Sequence, residues 1–267
     1  LERSSKKLYL QLKQLKDTEK RDKFKVYGEL LNTYGYQVTE GAKSVEVPNY
    51  YTGEMLTIPL GETLCPRDNA KKYFARYNKL KRTFEALNTQ TEETKAEIAH
   101  LQTIQAALAI AESEDDLAQI RDELETYGYI RRKMSGKKKQ KSKSKPFHYR
   151  SSDGFDIYVG KNNFQNDELT FKVANGNDWW FHAKGMPGSH VIVKTEGREL
   201  PDRTFEEAGR LAGYYSSGRD NEKIEIDYLQ RKNVKKPNGA VAGYVIYYTN
   251  YSLTIHPDIS GIEKISE

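Results

Sequence analysis

The residues best suited to binding or catalysis lie in one short stretch, DWWFHAKGMPGSHVIV, from Asp178 to Val193. If this stretch begins as a β-strand, successive side chains alternate between the two faces of a sheet. One face would then present an acid, an indole, an imidazole and an amine, from Asp178, Trp180, His182 and Lys184. The other face would be apolar and would pack in the core, through Trp179, Phe181 and Ala183. A turn at Met186-Pro187-Gly188 would return the chain and bring His190 near His182.

Four interpretations of this stretch are open from the residues alone. Zinc could bind Asp178, His182 and His190, but no thiol assists and the spacing matches no familiar zinc pattern. Acid–base catalysis by Asp178 and His182 is possible, but the chain has no GxSxG nucleophile motif. Trp180 and His182 could also be purely structural. We favour a ligand-binding surface, where a base stacks on Trp180 and polar neighbours read it, as in recognition of looped or single-stranded RNA.

A lysine-rich segment, residues 131–145, is a second candidate for ligand binding. It holds nine of the 43 lysines and arginines and no acid, and the rest of the chain has 34 bases against 38 acids. The net charge of +5 therefore comes from this segment alone. Its composition predicts a disordered linker, either a plain spacer or a sequence-independent binder of phosphates. The lysines concerned are Lys137, Lys138, Lys139, Lys141, Lys143 and Lys145.

Two smaller polar groups could contact phosphate or simply fix turns. Lys161, Asn162 and Asn166 lie in the stretch GKNNFQND, which lacks the GxxxxGK[ST] frame of a P-loop, so nucleotide binding is not expected. The second group is a basic loop that has two open interpretations, a second phosphate contact or a solvated turn. It consists of Arg231, Lys232, Lys235 and Lys236.

Composition restricts the cellular compartment and the kinds of site that this chain can have. Cys65 is the single cysteine, which excludes an internal disulfide and a multi-cysteine metal site, and it makes a reducing, cytosolic compartment the default. No apolar run approaches the roughly 18 residues that a membrane helix needs. The chain opens on a polar stretch without an initiating methionine or an apolar signal segment, so we expect a fragment of a longer protein.

The elements that position these groups begin with a long helix over residues 73–108. Side chains spaced alternately by four and three residues form a heptad seam, the period of a left-handed coiled coil. The helix should start at Pro66-Arg67-Asp68, with Asp68 as a plausible N-cap. The seam consists of Tyr73, Tyr77, Leu80, Phe84, Leu87, Thr91, Thr94, Ile98, Leu101, Gln105 and Leu108.

Residues 1–34 are the expected partner of this helix, through Leu8, Leu12 and Leu15. Between the two arms, residues 45–47 and 55–58 read as short strands around a turn. The sequence therefore predicts an antiparallel coiled-coil hairpin over residues 1–130, with a small β element of about residues 36–66 near its tip. A shorter helix from Ser113 to about Tyr127 should close at Gly128.

Residues 146–267 change character, and short β-like runs alternate with two helix-like runs. The pattern predicts an α+β domain with a mixed or antiparallel sheet. The helices are expected at about 163–173 and 204–215, the latter with Thr204 as N-cap. The strands are expected at 147–150, 156–160, 179–183, 190–193, 223–228, 243–248 and 253–255.

Three segments together resemble one known family, the NFACT proteins. The D-x-W-x-H pattern of Asp178, Trp180 and His182, the stretch GKNNFQND (160–167) and the stretch KKPNGAVAGYVIYY (235–248) are similar to its C-terminal NFACT-R domain. Residues 49–83 are similar to its coiled-coil middle region. The resemblance covers nearly the whole chain, and its bacterial branch is the RqcH group, also called fibronectin-binding protein A-like.

This resemblance implies a ribosome quality-control factor. Such proteins bind large ribosomal subunits blocked by peptidyl-tRNA, recruit tRNA and promote C-terminal alanine tailing. The tailing residues of the family lie in N-terminal domains that this chain does not contain, so we expect it to bind or brace without enzymatic activity or a cofactor. The alternative implied by the family is a fibronectin-binding adhesin that reaches the cell surface without a signal peptide. The expected RNA or partner contacts are Asp178, Trp180, His182, Lys184, His190, Lys161, Asn162, Asn166, Lys137, Lys138, Lys139, Lys141, Lys143 and Lys145.

Overall fold

The computed structural model describes residues 1–131 and 144–265. The chain divides into two compact units, Leu1–Ile98 and Ala99–Glu267, with the boundary inside the longest helix. Residues 99–131 therefore lie in the same unit as the sheet, whereas the sequence grouped them with the helical arm. No helix in the described residues is long and apolar enough to cross a membrane.

The first unit is an antiparallel helical arm. Its helices are α1 (Glu2–Thr18), α2 (Arg21–Tyr34) and the first part of α3 (Pro66–Ile110). Ser4 donates to Glu97 of α3 and Gln11 approaches the carbonyl of Gln90, so the helices run in opposite directions, as the sequence predicts. Pro66 occupies the first turn of α3, where its missing N–H costs nothing.

The face that α1 buries is polar. Ser4, Gln11 and Thr18 repeat every seven residues and are buried, whereas Leu12 is 44% exposed. Leu12 is therefore not part of the seam that the sequence predicted. The leucine spacing is helical, but the buried positions are a heptad of polar residues, two of which contact α3.

A small β element joins α2 to α3 in this unit. Strands β1 (Ser44–Pro48) and β2 (Met55–Pro59) pair antiparallel, as predicted. Alternation buries one side chain of each strand, Val47 and Ile58, against Leu30 and Leu31 of α2. This cluster fixes the closed end of the arm.

The heptad seam of α3 ends near residue 98. Leu87, Thr91 and Thr94 are buried as predicted, but Leu108 is 48% exposed. In the second unit the buried face of α3 shifts to His100, Ile104 and Ala107. The predicted seam over residues 105–108 is wrong, because a helix buries whichever face its local partner contacts and here the partner is α4.

Helix α4 (Glu114–Thr126) opens with a capping box. The Ser113 side chain accepts from the backbone N–H of Asp116, and the Asp116 side chain accepts from the backbone N–H of Ser113. After Tyr127 the chain turns at Gly128, which has a φ of 75°. The predicted bounds of this helix are confirmed.

The rest of the second unit contains an antiparallel seven-stranded sheet. Its strand order is β8-β7-β5-β6-β4-β3-β9. The strands are β3 (Phe147–Arg150), β4 (Asp156–Val159), β5 (Trp179–Ala183), β6 (Val191–Val193), β7 (Ile224–Gln230), β8 (Tyr251–Ile255) and β9 (Glu263–Lys264). This confirms the predicted α+β fold class and adds β9, a two-residue strand too short to show a periodic pattern.

Each face of the sheet carries its own apolar layer. Helix α6 (Asp202–Tyr214) covers one face, through a core that includes Ile157, Phe181 and Leu211. On the opposite face, α5 (Asn163–Glu168) runs directly into a π turn, Leu169–Val173. Leu169 of this turn packs with Trp180.

Two predicted elements of this unit need correction. Residues 243–248 form no strand and make one isolated bridge, Lys235 with Ile246. Thr204 lies inside α6, whose N-cap is Pro201, and its hydroxyl donates to Asp153 instead. For Thr204, a tertiary partner takes the hydroxyl that the capping pattern assigns to the helix N-terminus.

A candidate nucleic-acid interface

Strand β5 carries most of the predicted ligand-binding residues, and its side chains alternate as expected. Phe181 and Ala183 are fully buried in the core beneath α6, and Trp179 packs against the same cluster. The opposite face is not open, however. Trp180 is 0% exposed and lies in a second core with Leu169.

The burial of Trp180 corrects its predicted role. Its ring contacts those of His190, Tyr247 and His182, with centroids 5.1, 5.4 and 5.6 Å away, and the His182 ring is stacked on it. The covering layer consists of the π turn and residues 234–247. No ring face is left for a base, so Trp180 does not offer the stacking surface that the sequence suggested. Its indole N–H finds no acceptor in the described part of the chain.

The structure brings His182 and His190 together as predicted, with ring centroids 5.6 Å apart. His190 is buried, and its Nδ1 lies 2.8 Å from the hydroxyl of Thr170. Burial lowers the pKa of His182 to about 4. Burial, reinforced by the neighbouring His182, also lowers the pKa of His190 well below its usual value. Both imidazoles are therefore neutral near pH 7.

Asp178 and Lys184 lie at opposite ends of β5 and have separate partners. Asp178 is 1% exposed and accepts hydrogen bonds from Lys194 and from the backbone N–H groups of Thr195 and Asn175. Burial alone would raise its pKa, but these donors outweigh burial and hold the pKa below its usual value. Lys184 is exposed and pairs with Glu225 at 3.0 Å. Asp178 thus organises a loop, and neither residue joins the histidines.

Asp227 is the carboxylate next to the histidine pair, and the sequence did not single it out. It lies opposite His182 in the β5–β7 register and is 4% exposed. Tyr247 donates to it at 2.8 Å, and the side chains of Asn250 and Ser252 also donate. Burial and the bond to Asp227 raise the pKa of Tyr247, so its hydroxyl remains a donor. Asp227 therefore anchors residues 247–252 to the sheet.

The stretch GKNNFQND is a docking surface for α4. Asn162 caps α5 by accepting from the backbone of Gln165, and its amide donates to Gln119 of α4 at 2.7 Å. Lys161 pairs with Asp116 of α4 at 3.2 Å. Burial alone would raise the pKa of Asp116, but the Ser144 hydroxyl, a backbone N–H and Lys161 together hold it below its usual value. The sequence left open whether Lys161 and Asn162 contact phosphate or fix a turn. In the structure both contact side chains of α4, within the protein.

Asn166 fixes the turn that leads into β6. Its side-chain oxygen accepts from the backbone N–H of His190 at 2.9 Å. A Cβ at position 160 would lie 2.1 Å from that oxygen, so only glycine fits there. Asn166 is 3% exposed and serves the backbone geometry beside His190.

Asn163 lies at the centre of a buried polar network. Its amide donates to Thr103 of α3 at 2.8 Å and to Glu123 of α4 at 2.7 Å. The same Glu123 oxygen lies 3.0 Å from His100. One side chain therefore joins α3, α4 and α5, and Glu123 is 0% exposed.

Replacing Asn163 with alanine should cost about 2–3 kcal/mol of folding free energy, because two buried hydrogen bonds are lost and the Glu123 oxygen keeps only its contact with His100. Urea denaturation measures the loss. Asn177→Ala, which removes an exposed amide, is the matched control and should change stability by less than about 0.5 kcal/mol. Equal stability of the two variants would show that the network does not hold α4 to the sheet.

The predicted lysine contacts separate into two groups. Lys137, Lys138, Lys139, Lys141 and Lys143 lie outside the described residues, and Lys145 is exposed. In the basic loop, Lys236 pairs with Asp167, and Arg231 donates to the carbonyl of Thr170. Lys232 and Lys235 are exposed and form no ion pair within the described ranges. The residues 1–131 and 144–265 also contain no group of three or more histidines, cysteines and carboxylates arranged for a metal ion.

The face of α4 that docks on the stretch GKNNFQND was missed by sequence reasoning. Asp116, Gln119 and Glu123 are spaced three and four residues apart, which places them on one side of a helix. Two of them are almost fully buried. The helical spacing of these polar residues was the available signal, but it reads as a solvated face until its polar partner is known.

Both parts of the chain match described protein families. Residues 1–143 match the NFACT N-terminal and middle domains, and residues 145–247 match the NFACT protein RNA binding domain. Among curated proteins, the Rqc2 homolog RqcH of Streptococcus suis is 40% identical over 99% of this chain and 48% of its own length. The Rqc2 homolog RqcH of Bacillus subtilis is 37% identical over 96% of this chain and 45% of its own length.

A solved structure has the same fold. It is that of the C-terminal of the fibronectin/fibrinogen-binding protein from Streptococcus suis, with a TM-score of 0.73 and 33% identity over 99% of this chain and 93% of that chain. The present chain spans about half the length of the curated relatives it matches.

Proposed function

The chain belongs to the NFACT family, and from that premise we propose that it is the RNA- and ribosome-binding portion of a quality-control factor that acts on stalled large ribosomal subunits. The observation that carries this proposal is the match of residues 145–247 to the NFACT RNA binding domain. Relatives named as Rqc2 homologs support it, since they align with this chain over almost its full length.

In this proposal the chain binds its partners and acts as a structural support. It contacts a large subunit that carries peptidyl-tRNA and supports tRNA recruitment for C-terminal alanine tailing, which the intact protein would perform in the cytoplasm. The buried network around Asn163 supports a bracing role, because it joins α4 and the end of α3 to α5. We assign no catalytic residue, since the polar side chains of β5 have structural partners.

Binding to large subunits should depend steeply on salt, because contacts to phosphate release counterions. Co-sedimentation of the chain with purified large subunits, scored across a salt series, measures this. Deleting residues 131–145 should weaken binding at moderate salt for every RNA tested, because nine positive charges are removed. Unchanged affinity in the deletion variant would remove the lysines of this segment from the proposal, and absence of co-sedimentation at low salt would overturn it.

An adhesin role is the second candidate, and the specific observation behind it is the fibronectin/fibrinogen-binding protein that shares this fold. It predicts saturable binding of the chain to immobilised fibronectin, unaffected by nuclease. Binding that disappears after nuclease treatment would instead indicate RNA bridging and would support the ribosomal role.

A further inference from the structure

The layer that covers Trp180 has an outer face of its own. Lys235 and Ile246 exchange backbone hydrogen bonds of 2.9 and 2.8 Å, which fold residues 234–248 into a short ribbon over the sheet. Val234, Val245 and Tyr247 pack inward against the Trp180 cluster. The ribbon is therefore held from below by a packed apolar contact and, through Tyr247, by Asp227.

Two tyrosines of this ribbon point outward. Tyr244 is 54% exposed and Tyr248 is 80% exposed, and they flank the inward-packed Val245 and Tyr247. Two exposed rings thus lie at either end of a stretch whose intervening residues are partly buried. Exposed aromatic rings on a rigid support provide stacking area with little loss of side-chain entropy.

Positive charge lies beside these rings. Lys235 pairs with Ile246, the residue midway between the two tyrosines, and Lys232 lies in the adjoining turn, Arg231–Asn233. Both lysines are exposed and make no ion pair within residues 1–131 and 144–265. Of the two acids that contact this ribbon, Asp167 is paired with Lys236, and Asp227 is buried and accepts from Tyr247.

We propose that Tyr244, Tyr248, Lys232 and Lys235 form a surface that holds single-stranded RNA, with bases stacked on the tyrosines and phosphates paired with the lysines. This combination of aromatic rings and unneutralised cations is the chemistry of single-strand binding without base-specific readout. The inference rests on the proposed function, that this domain binds RNA. It moves the stacking site from the buried Trp180 to the ribbon above it.

The test is fluorescence anisotropy of the full 267-residue chain with a labelled oligoadenylate of about 12 nucleotides. Replacing Tyr244 and Tyr248 together with alanine should weaken binding about 10- to 100-fold, because each lost base stack is worth about tenfold. The double phenylalanine variant keeps both rings and should bind like the unaltered chain. Tyr36→Ala is the matched control, since Tyr36 is 80% exposed, like Tyr248, but lies in the helical arm.

An oligonucleotide of the same length with abasic sites separates stacking from charge. The unaltered chain should bind it about as weakly as the double alanine variant binds oligoadenylate, and the double alanine variant should not distinguish the two probes. Lys232→Ala and Lys235→Ala should each flatten the slope of log affinity against log salt by about 0.7, the value for one phosphate contact on a single strand. Lys223→Ala, at an exposed lysine before β7, should leave the slope unchanged.

The outcomes separate this inference from the function on which it rests. If the unaltered chain binds oligoadenylate and the double alanine variant binds it equally well, the surface is wrong and the RNA-binding function stands. If the unaltered chain binds neither oligoadenylate nor large subunits, both fail. If binding is lost in the phenylalanine variant as well, the hydroxyls rather than the rings are the contacts, and the stacking proposal is overturned.

Discussion

Replacing Trp180 with alanine is expected to remove about 3–5 kcal/mol of folding free energy, the usual cost of deleting a buried aromatic side chain. Trp180 is 0% exposed and is the largest side chain of the core between the sheet and its covering ribbon. Native domains are stable by only about 5–15 kcal/mol, so this loss is a large fraction of the total. Urea denaturation followed by near-ultraviolet circular dichroism should show a much lower midpoint, and RNA binding should be lost together with the fold.

Two further variants make this result interpretable. Trp180→Phe should keep most of the stability, because the ring is retained and the indole N–H has no acceptor in the described residues to lose. Tyr248→Ala removes an aromatic ring of comparable size from the surface and should leave stability nearly unchanged. A Trp180→Ala protein that unfolds like the unaltered chain but has lost RNA affinity would mean that Trp180 itself contacts RNA.

The alternation of β5 was predictable, but the cover over its second face was not. Alternating side chains are a property of any strand, so Phe181 and Trp180 were correctly assigned to opposite faces. Whether a face is open depends on what lies above it. Here the cover is residues 234–247, a segment with one isolated bridge and no periodic pattern. An irregular segment gives no signal of the surface on which it packs.

The helical arm shows the same limit. The four-three spacing predicts α3 and its buried face through Thr94, because one partner follows it over that length. Beyond residue 98 the face turns toward His100 and Ile104, since α4 replaces the earlier partner. Periodicity identifies a helix from its own residues, whereas the buried face is set by the neighbour.

The candidate site also has one part that the sequence predicts and another part that depends on the fold. The stretch GKNNFQND was recognisable as significant, but its asparagines serve as caps and cross-links, since Asn162 and Asn163 both bind side chains of α4. Short polar side chains suit phosphate contacts and buried caps equally well. Only the burial of Asn163, 3% exposed, distinguishes the two uses, and burial is a property of the fold.

The second large effect is expected with pH: acidification from about pH 7.5 to pH 5 should destabilise the second unit by at least about 2 kcal/mol. His182 and His190 are neutral in the fold because burial lowers the pKa of both, that of His182 to about 4. In the unfolded chain each histidine has a pKa of about 6.5. The unfolded state therefore binds more protons below that value, and stability falls as the pH drops from about 6.5 toward 4. His182 alone contributes about 2 kcal/mol at pH 5, from 1.36 kcal/mol per pKa unit, and His190 acts in the same direction.

The carboxylates act in a lower window, which keeps the two effects apart. The pKa values of Asp116 and Asp178 are held below their usual range, so the stability they contribute is present above about pH 4 and is lost only in stronger acid. A comparison at pH 7.5 and pH 5 consequently isolates groups that gain a proton between those values. Free energies of unfolding from urea titrations at the two pH values give the difference directly.

Variants assign this difference to the histidine pair. His190→Gln should be less stable than the unaltered chain at pH 7.5, because the contact of Nδ1 with Thr170 and the ring packing on Trp180 are lost. Its stability should nevertheless fall clearly less on acidification, since one buried imidazole no longer has to gain a charge. His256→Gln, at an exposed histidine, is the control and should retain the full difference. If His190→Gln and His256→Gln showed the same loss between the two pH values, protonation of His190 would not be what destabilises the fold, and the neutral pair beneath the ribbon would have no part in its acid sensitivity.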